Sequence, residues 1–224
     1  MSDYEAAYRD LRERVTELLG DRADTELEQI APATPAWRVR DVVSHMAGVC
    51  DDITNGNLDG VATDAWTQAQ VDKRAAWQPA KILDDWTQHA AVIEPQMNAF
   101  GQPIGQMVFD AWTHEQDMRG ALGLVGGRDS SAMEISWEWF VQTNRAVPAS
   151  EPGALLVITE EGETHLGGGE PVGTVRTSRF EFLRAATGRR SRAQLGRFDS
   201  DGVPFDGVLF ISDIFRPADR DIVE

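Results

Sequence analysis

Apolar residues recur at helical spacing through the first two thirds of the chain. In residues 3–19 they fall three or four positions apart, which predicts one apolar stripe on a helix that ends at Gly20. The same period predicts four further long helices, and a polar stretch near residues 66–77 is consistent with a short one. The four long stretches are residues 39–53, 79–100, 103–122 and 130–147.

The pattern changes near residue 148. Residues 153–166 predict two short strands joined at Glu161 and Gly162, and residues 167–169 predict a turn. A strand and a helix ending at Gly188 follow, and residues 203–215 supply a last strand or helix. We therefore expect an α+β protein with a helical domain over residues 1–148 and a small α/β domain over residues 149–224.

The charge and composition of the chain bear on its binding partners and on its location in the cell. The formal net charge is −16, and such a surface repels nucleic acids and anionic membranes. No apolar stretch approaches the roughly 18 residues that a membrane helix needs, and the charged N-terminus has no signal-peptide pattern. We expect a cytoplasmic protein that binds neither nucleic acid nor membrane. Cys50 is the single cysteine. We expect it to serve as a small apolar residue on a helix, and the alternative is a reactive thiol.

Three residues on two predicted helices form a candidate metal site. Asp110 and His114 are four positions apart, so a helix places both on the same face. His45 lies beside the apolar face of residues 39–53 and is the best third ligand. Two imidazoles and a carboxylate with open positions are typical of catalytic zinc, although the ligands do not exclude nickel, iron or manganese. The alternatives are an exposed ion pair for Asp110 and His114, and a buried structural role for His45.

We predict other roles for the remaining histidines and for the acids that follow His114. Asp117, three positions after His114, partly shares its face and is predicted to orient that imidazole, the alternative being a salt bridge to Arg119. Glu115 points elsewhere on the helix. His89 and His165 are predicted to be exposed or structural.

Two stretches carry a resemblance to a known family. WRVRDVVSHMAG (37–48) and DAWTHEQDMRGALG (110–123) resemble the mycothiol-dependent maleylpyruvate isomerase family, which belongs to the DinB-like four-helix-bundle metalloproteins. SRFEFLRAATGRRSRAQL (178–195) resembles that family's C-terminal part, a small α/β domain related to sterol-carrier folds. The resemblance implies a divalent metal, usually zinc, bound by His45, Asp110 and His114. One departure is that the family pattern has a Glu where this chain has the shorter Asp110.

The resemblance also implies a reaction. In the family, the thiol of mycothiol binds the metal, loses its proton and attacks a small electrophile, which makes these proteins isomerases or transferases. Two alternatives stay open, a non-enzymatic metal- and thiol-binding protein and a DinB-like hydrolase that uses metal-bound water. The sequence identifies neither the electrophile nor the oligomeric state.

Arginines are concentrated near the C-terminus. Seven of them fall in residues 176–197, against one acid, Glu181. In a chain of net charge −16 this local excess is informative, and one interpretation is that Arg184, Arg189 or Arg190 faces the bundle and binds a carboxylate of the substrate or the cofactor. Arg189 and Arg190 are the preferred residues for the reaction and Arg184 for cofactor binding. The alternative is a solvated helix face.

Overall fold

A computed structural model describes residues 2–145, 154–202 and 215–224. The chain divides into two compact units, Met1–Ile135 with Glu224 and Ser136–Val223. The boundary predicted at residue 148 lies outside the described residues and stays a prediction. Within the described ranges no helix is long and apolar enough to cross a membrane.

The first unit is helical. Its long helices are α1, α3, α5 and α7, while α2, α4 and α6 are shorter, and α8 runs across the division into the second unit. The bounds are α1 (Tyr4–Gly20), α2 (Asp24–Leu27), α3 (Val39–Asn55), α4 (Asp64–Arg74), α5 (Pro79–Ile93), α6 (Met97–Phe100), α7 (Gly105–Leu122) and α8 (Ser131–Arg145).

The four long helices form a bundle. Helix α1 packs against α5 and α7, and α3 packs against the same two helices. The apolar stripes predicted from the sequence lie inside, since residues such as Leu11, Val42, Trp86 and Trp112 are fully buried. The helical spacing of these stripes is therefore confirmed. Helix α5 ends at Ile93, before the short 3-10 turn that contains Pro95.

In its described residues, the second unit contains a four-stranded sheet, two helices of its own and most of α8. The strands are β1 (Ala154–Thr159), β2 (Gly162–Leu166), β3 (Pro171–Arg176) and β4 (Asp199–Gly202), and the helices are α9 (Arg179–Ala186) and α10 (Arg192–Leu195).

The strands of this sheet lie in the order β2-β1-β3-β4. The β1–β2 hairpin confirms the predicted pair of strands, and β3 runs parallel to β1. In the same unit, Phe182 of α9 packs edge-on against Trp137 and Phe140 of α8. The α+β class is thus observed. The last strand or helix predicted over residues 203–215 lies almost wholly outside the described residues.

Candidate metal centre

The three predicted ligands come together on the bundle. Nε2 of His45 lies 3.4 Å from Oδ2 of Asp110, and Nε2 of His114 lies 3.6 Å from Oδ1 of the same carboxylate. The two imidazole rings lie edge to face with their centroids 5.0 Å apart. Both histidines are buried, whereas the Asp110 side chain is 40% exposed. One nitrogen from each ring and one carboxylate therefore lie around a common point with one open side.

Asp117 fixes the orientation of His114. Its Oδ2 lies 2.9 Å from Nδ1 of His114, and both side chains are buried. A carboxylate only accepts hydrogen bonds, so Nδ1 donates and carries the ring proton. In the neutral ring, Nε2 of His114 then has its lone pair on the side of Asp110. This contact is the geometry expected of an aspartate that orients a ligand histidine.

Gln70 orients the imidazole of His45, as Asp117 orients that of His114. Oε1 of Gln70 in α4 lies 2.7 Å from Nδ1 of His45, and the Gln70 amide nitrogen donates to Oδ2 of Asp52 at 2.6 Å. Because Asp52 accepts, the amide nitrogen must face it and the carbonyl must face His45. Nδ1 of His45 is therefore the donor, and in the neutral ring Nε2 has its lone pair toward Asp110.

The donor set fits a divalent cation. With both imidazoles in the neutral form, their nitrogens and the carboxylate present electron pairs at one point, an arrangement that positive charge between them stabilises. The three ligand atoms lie within 4.8 Å of one another. Two ligands about 2.1 Å from one zinc ion in tetrahedral geometry are about 3.4 Å apart, close to the distances between these side chains. The shorter Asp110 reaches both histidines, so the departure from Glu does not prevent convergence.

An indole ring covers the two histidines. Trp37 lies 5.3 Å from the ring centroid of His45 and 6.0 Å from that of His114. Its Nε1 donates to Oε1 of Gln68, also in α4, at 3.3 Å. Trp37 is half-buried, so it forms a wall of the candidate centre that a ligand can contact.

The sequence did not predict the roles of Gln70 and Asp52. Their contacts join positions 18 and 25 residues apart, and the periodicity of one helix says nothing about such pairs. One residue in the sequence could have indicated the close approach of another segment: Gly48, three positions after His45 on α3. A Cβ built on Gly48 would lie 2.4 Å from Cβ of Gln70, so only glycine admits α4 this close.

The remaining charged residues of 110–123 belong to a separate ion-pair group. Glu115 is fully buried and accepts from Arg14 and Arg119, at 2.8 Å and 3.0 Å at closest. Arg119 thus contacts Glu115, while Asp117 contacts His114. The three acids that look like one cluster in the sequence therefore divide into one that forms ion pairs with arginines, Glu115, and two at the candidate metal centre, Asp110 and Asp117.

A second histidine–aspartate group lies elsewhere on the bundle. Nε2 of His89 is 3.6 Å from Oδ1 of both Asp51 and Asp85, and these atoms also satisfy the geometry of a metal site. The second carboxylate oxygen of each aspartate forms an ion pair with a basic side chain. Oδ2 of Asp51 and Oδ2 of Asp85 accept from the fully buried Arg74 at 2.9 Å and 2.6 Å, and Lys73 contacts Asp51 as well.

These cations account for the charge of the second group. Burial alone would raise the pKa of Asp51, but hydrogen bonds from Lys73 and Arg74 outweigh it and lower that pKa below its ordinary value of 3.8. Two carboxylates are balanced by two side-chain cations. We therefore interpret the group as an ion-pair network that joins α3, α4 and α5, consistent with the structural role predicted for His89.

The lone thiol is enclosed in the core. Cys50 is fully buried, and its Sγ lies 3.1 Å from the hydroxyl of Tyr8, which accepts from Trp86 Nε1. Burial raises the pKa of the Cys50 thiol to about 12. A thiol of this pKa is not a nucleophile at neutral pH, which agrees with the non-reactive role predicted for it.

The three predicted arginines of the second unit are buried. Arg184 in α9 is fully buried, and Arg189 and Arg190 follow that helix. Arg190 donates to both carboxylate oxygens of Glu181, at 2.7 Å and 2.8 Å, and Arg189 donates to the carbonyl of Thr187. The solvated helix face is therefore wrong for these three residues. Their roles in substrate or cofactor binding stay predictions.

Solved structures of a mycothiol-dependent maleylpyruvate isomerase are similar to this chain. One of that enzyme gives a TM-score of 0.59, and one of a variant with a single histidine replaced by alanine gives 0.58. Each match has 13% sequence identity and covers 83% of this chain and 88% of the other. At this identity the likeness shows the fold alone. No protein-family model matches the chain, and no curated protein matches it.

Proposed function

We propose that this protein is a divalent-metal-dependent enzyme that uses a low-molecular-weight thiol as cosubstrate in a transfer or isomerisation reaction. The observation that carries the proposal is the convergence of two histidine nitrogens and a carboxylate, from His45, His114 and Asp110, at one point. The fold likeness to a mycothiol-dependent isomerase supports a thiol as the second component.

The chain's own residues would prepare the site. His45 and His114 present their Nε2 lone pairs because Gln70 and Asp117 hold the protons on Nδ1. Asp110 supplies negative charge from the exposed side, where a ligand can approach. A bound divalent metal supplies a Lewis acid that lowers the pKa of a coordinated thiol. Trp37 covers the two imidazoles and limits the access of water on its side.

The finer parts of the proposal follow from the sequence resemblance. They are zinc as the metal, mycothiol as the thiol, and a DinB-like bundle followed by a sterol-carrier-like domain in a cytoplasmic protein. Arg184, Arg189 and Arg190 are proposed to contribute positive charge for a carboxylate of the substrate or the thiol. The electrophile is proposed only by class, as an activated alkene or a haloalkane.

Metal analysis followed by a thiol assay tests this function. We expect the purified protein to bind one equivalent of Zn²⁺. With mycothiol and a panel of electrophiles, a transferase consumes one thiol per turnover, whereas an isomerase returns it and converts a cis alkene to trans. Chelation should abolish either activity. Turnover that does not depend on added thiol would instead favour the hydrolase, and metal binding without any turnover would favour a binding protein.

A further inference from the structure

Helix α4 carries two glutamines with the same arrangement of contacts. Gln70 donates its amide N–H to Asp52 and presents its carbonyl to the ring nitrogen of His45. Gln68 donates to Asp72 at 2.8 Å and presents its carbonyl to the ring N–H of Trp37. The indole N–H only donates, which shows how a carboxylate and a ring together fix the direction of a glutamine amide.

The direction of the Gln70 amide is set by Asp52 in a buried position. Gln70 is buried, and both oxygens of Asp52 are occupied, Oδ2 by Gln70 and Oδ1 by the Asn57 amide at 2.9 Å. A flipped Gln70 would set a carbonyl against the carboxylate and an N–H₂ group against His45. The backbone of α4 also stays close to α3 at this position, because Gly48 has no side chain.

We propose that Gln70, oriented by Asp52, is a positioning residue that keeps His45 in the tautomer with its proton on Nδ1. This tautomer is the one that leaves Nε2 able to bind a metal. The inference rests on the proposed metal-dependent function, because this tautomer has a role only if His45 binds a metal. The tautomer itself is a property of the metal-free protein.

The anchoring of α4 makes this role independent of a bound ligand. Arg74, one turn after Gln70, is fully buried and joins Asp51 of α3 to Asp85 of α5. Its Nη1 also donates to the main-chain carbonyl oxygen of Gln70 at 3.3 Å. The glutamine is therefore held by its own helix and by its side-chain contacts before a metal arrives.

The test compares Asp52→Asn and Gln70→Ala with Asp72→Asn as the matched control. Asp52→Asn replaces one accepting oxygen by a donating nitrogen, so the Gln70 amide is free to flip. Asp72→Asn makes the same chemical change against Gln68, whose amide contacts the indole N–H of Trp37 and no ring nitrogen of His45. Long-range ¹⁵N–¹H spectra of the four histidines in the metal-free protein report each tautomer, with the His45 signals assigned by their loss in His45→Ala.

We expect His45 to be the Nδ1–H tautomer in the wild type and in Asp72→Asn. In Asp52→Asn and Gln70→Ala its signals should move toward a mixture of tautomers. In the same two variants the dissociation constant for Zn²⁺ should rise by about 10- to 100-fold. Thermal unfolding followed by circular dichroism shows that each variant is folded.

The outcomes separate the inference from the proposed function. An unchanged His45 tautomer and unchanged Zn²⁺ affinity in both variants would overturn the inference while leaving the metal centre intact. A wild type that binds no Zn²⁺ would overturn the proposed function, and the tautomer spectra would still decide the role of Gln70. A loss of affinity without a change of tautomer would also overturn it, since a merely structural role produces that result.

Discussion

Two groups of histidine and aspartate lie on the same bundle, and both satisfy the distances of a metal site. They share α3, which carries His45 of one and Asp51 of the other. The first group has hydrogen-bond acceptors behind its imidazoles, from Gln70 and Asp117. The second has the cations of Arg74 and Lys73 on its carboxylates, as the contacts of Asp51 and Asp85 show.

This difference indicates how each group is used. An acceptor on Nδ1 increases the electron density at Nε2 and makes the imidazole a better ligand. A cation on a carboxylate oxygen reduces the negative charge available to a metal. The distances between ligand atoms therefore do not define a metal site by themselves. The groups behind those atoms separate a metal centre from an ion-pair network.

The largest expected effect is the loss of metal on removing a ligand of the first group. His114→Ala removes one of three ligands, so Zn²⁺ affinity should fall by more than the roughly 100-fold that outer contacts contribute. Metal analysis after dialysis measures this loss. His165→Ala, which changes an exposed histidine of β2, is the control and should retain one equivalent. Full metal content in His114→Ala would refute the site.

The second prediction concerns the cations of the ion-pair network. Arg74→Met leaves two carboxylates without their buried partner, and the free energy of unfolding should fall by about 3–5 kcal/mol. Lys73→Met, at a largely exposed cation, should cost about 0–1 kcal/mol. Urea unfolding compares the two variants. Equal costs would contradict a structural role for the buried guanidinium.

The third prediction tests whether the second group binds metal. His89→Ala should leave the Zn²⁺ stoichiometry and affinity unchanged, because its aspartates are already balanced by cations. Metal analysis after dialysis gives the stoichiometry, as for His114→Ala, and a Zn²⁺ titration gives the affinity. A protein that binds two equivalents, one of which His89→Ala removes, would show that the cations do not exclude a metal.

The smallest effect is a dependence of stability on pH. The pKa of Asp51 is lower in the folded protein than its ordinary value of 3.8, so its ionised form stabilises the fold. That contribution is present above pH 3.8 and is lost as the pH falls through the lower folded pKa. Around this carboxylate lie Lys73 and Arg74 of α4 and Asp85 and His89 of α5.

The measurement is the free energy of unfolding of the wild type and Asp51→Asn between pH 5 and pH 2.5. The variant has no group to protonate at this position, so its stability should fall less steeply over the acidic part of the range. Parallel curves for the two proteins would show that Asp51 titrates alike in the folded and unfolded chains.

The sequence predicted those parts of the structure that depend on local repetition. The long helices follow from the 3.6-residue period, because burial of one stripe requires it. The pairing of Asp110 with His114 follows from the same geometry within one helix. His45 is predicted as the third ligand because it lies on an otherwise apolar face that should pack inward, and the family resemblance implies the same residue.

The rest depends on contacts between distant segments. Gln70 lies in a polar stretch whose pattern gave only a possible short helix, so nothing placed its amide against His45. The network of Asp51, Asp85 and Arg74 joins three helices and has no spacing that identifies it. The burial of Arg184 was missed for a similar reason, since a run of arginines resembles a solvated helix face.

The enclosed thiol of Cys50 has a consequence for redox chemistry. The disulfide of a small thiol exchanges with an accessible protein thiolate, which forms a mixed disulfide and releases the other half as a thiol. Cys50 is the chain's one cysteine, and it is buried with a raised pKa. The fold therefore protects its one thiol from exchange with the oxidised form of a small thiol.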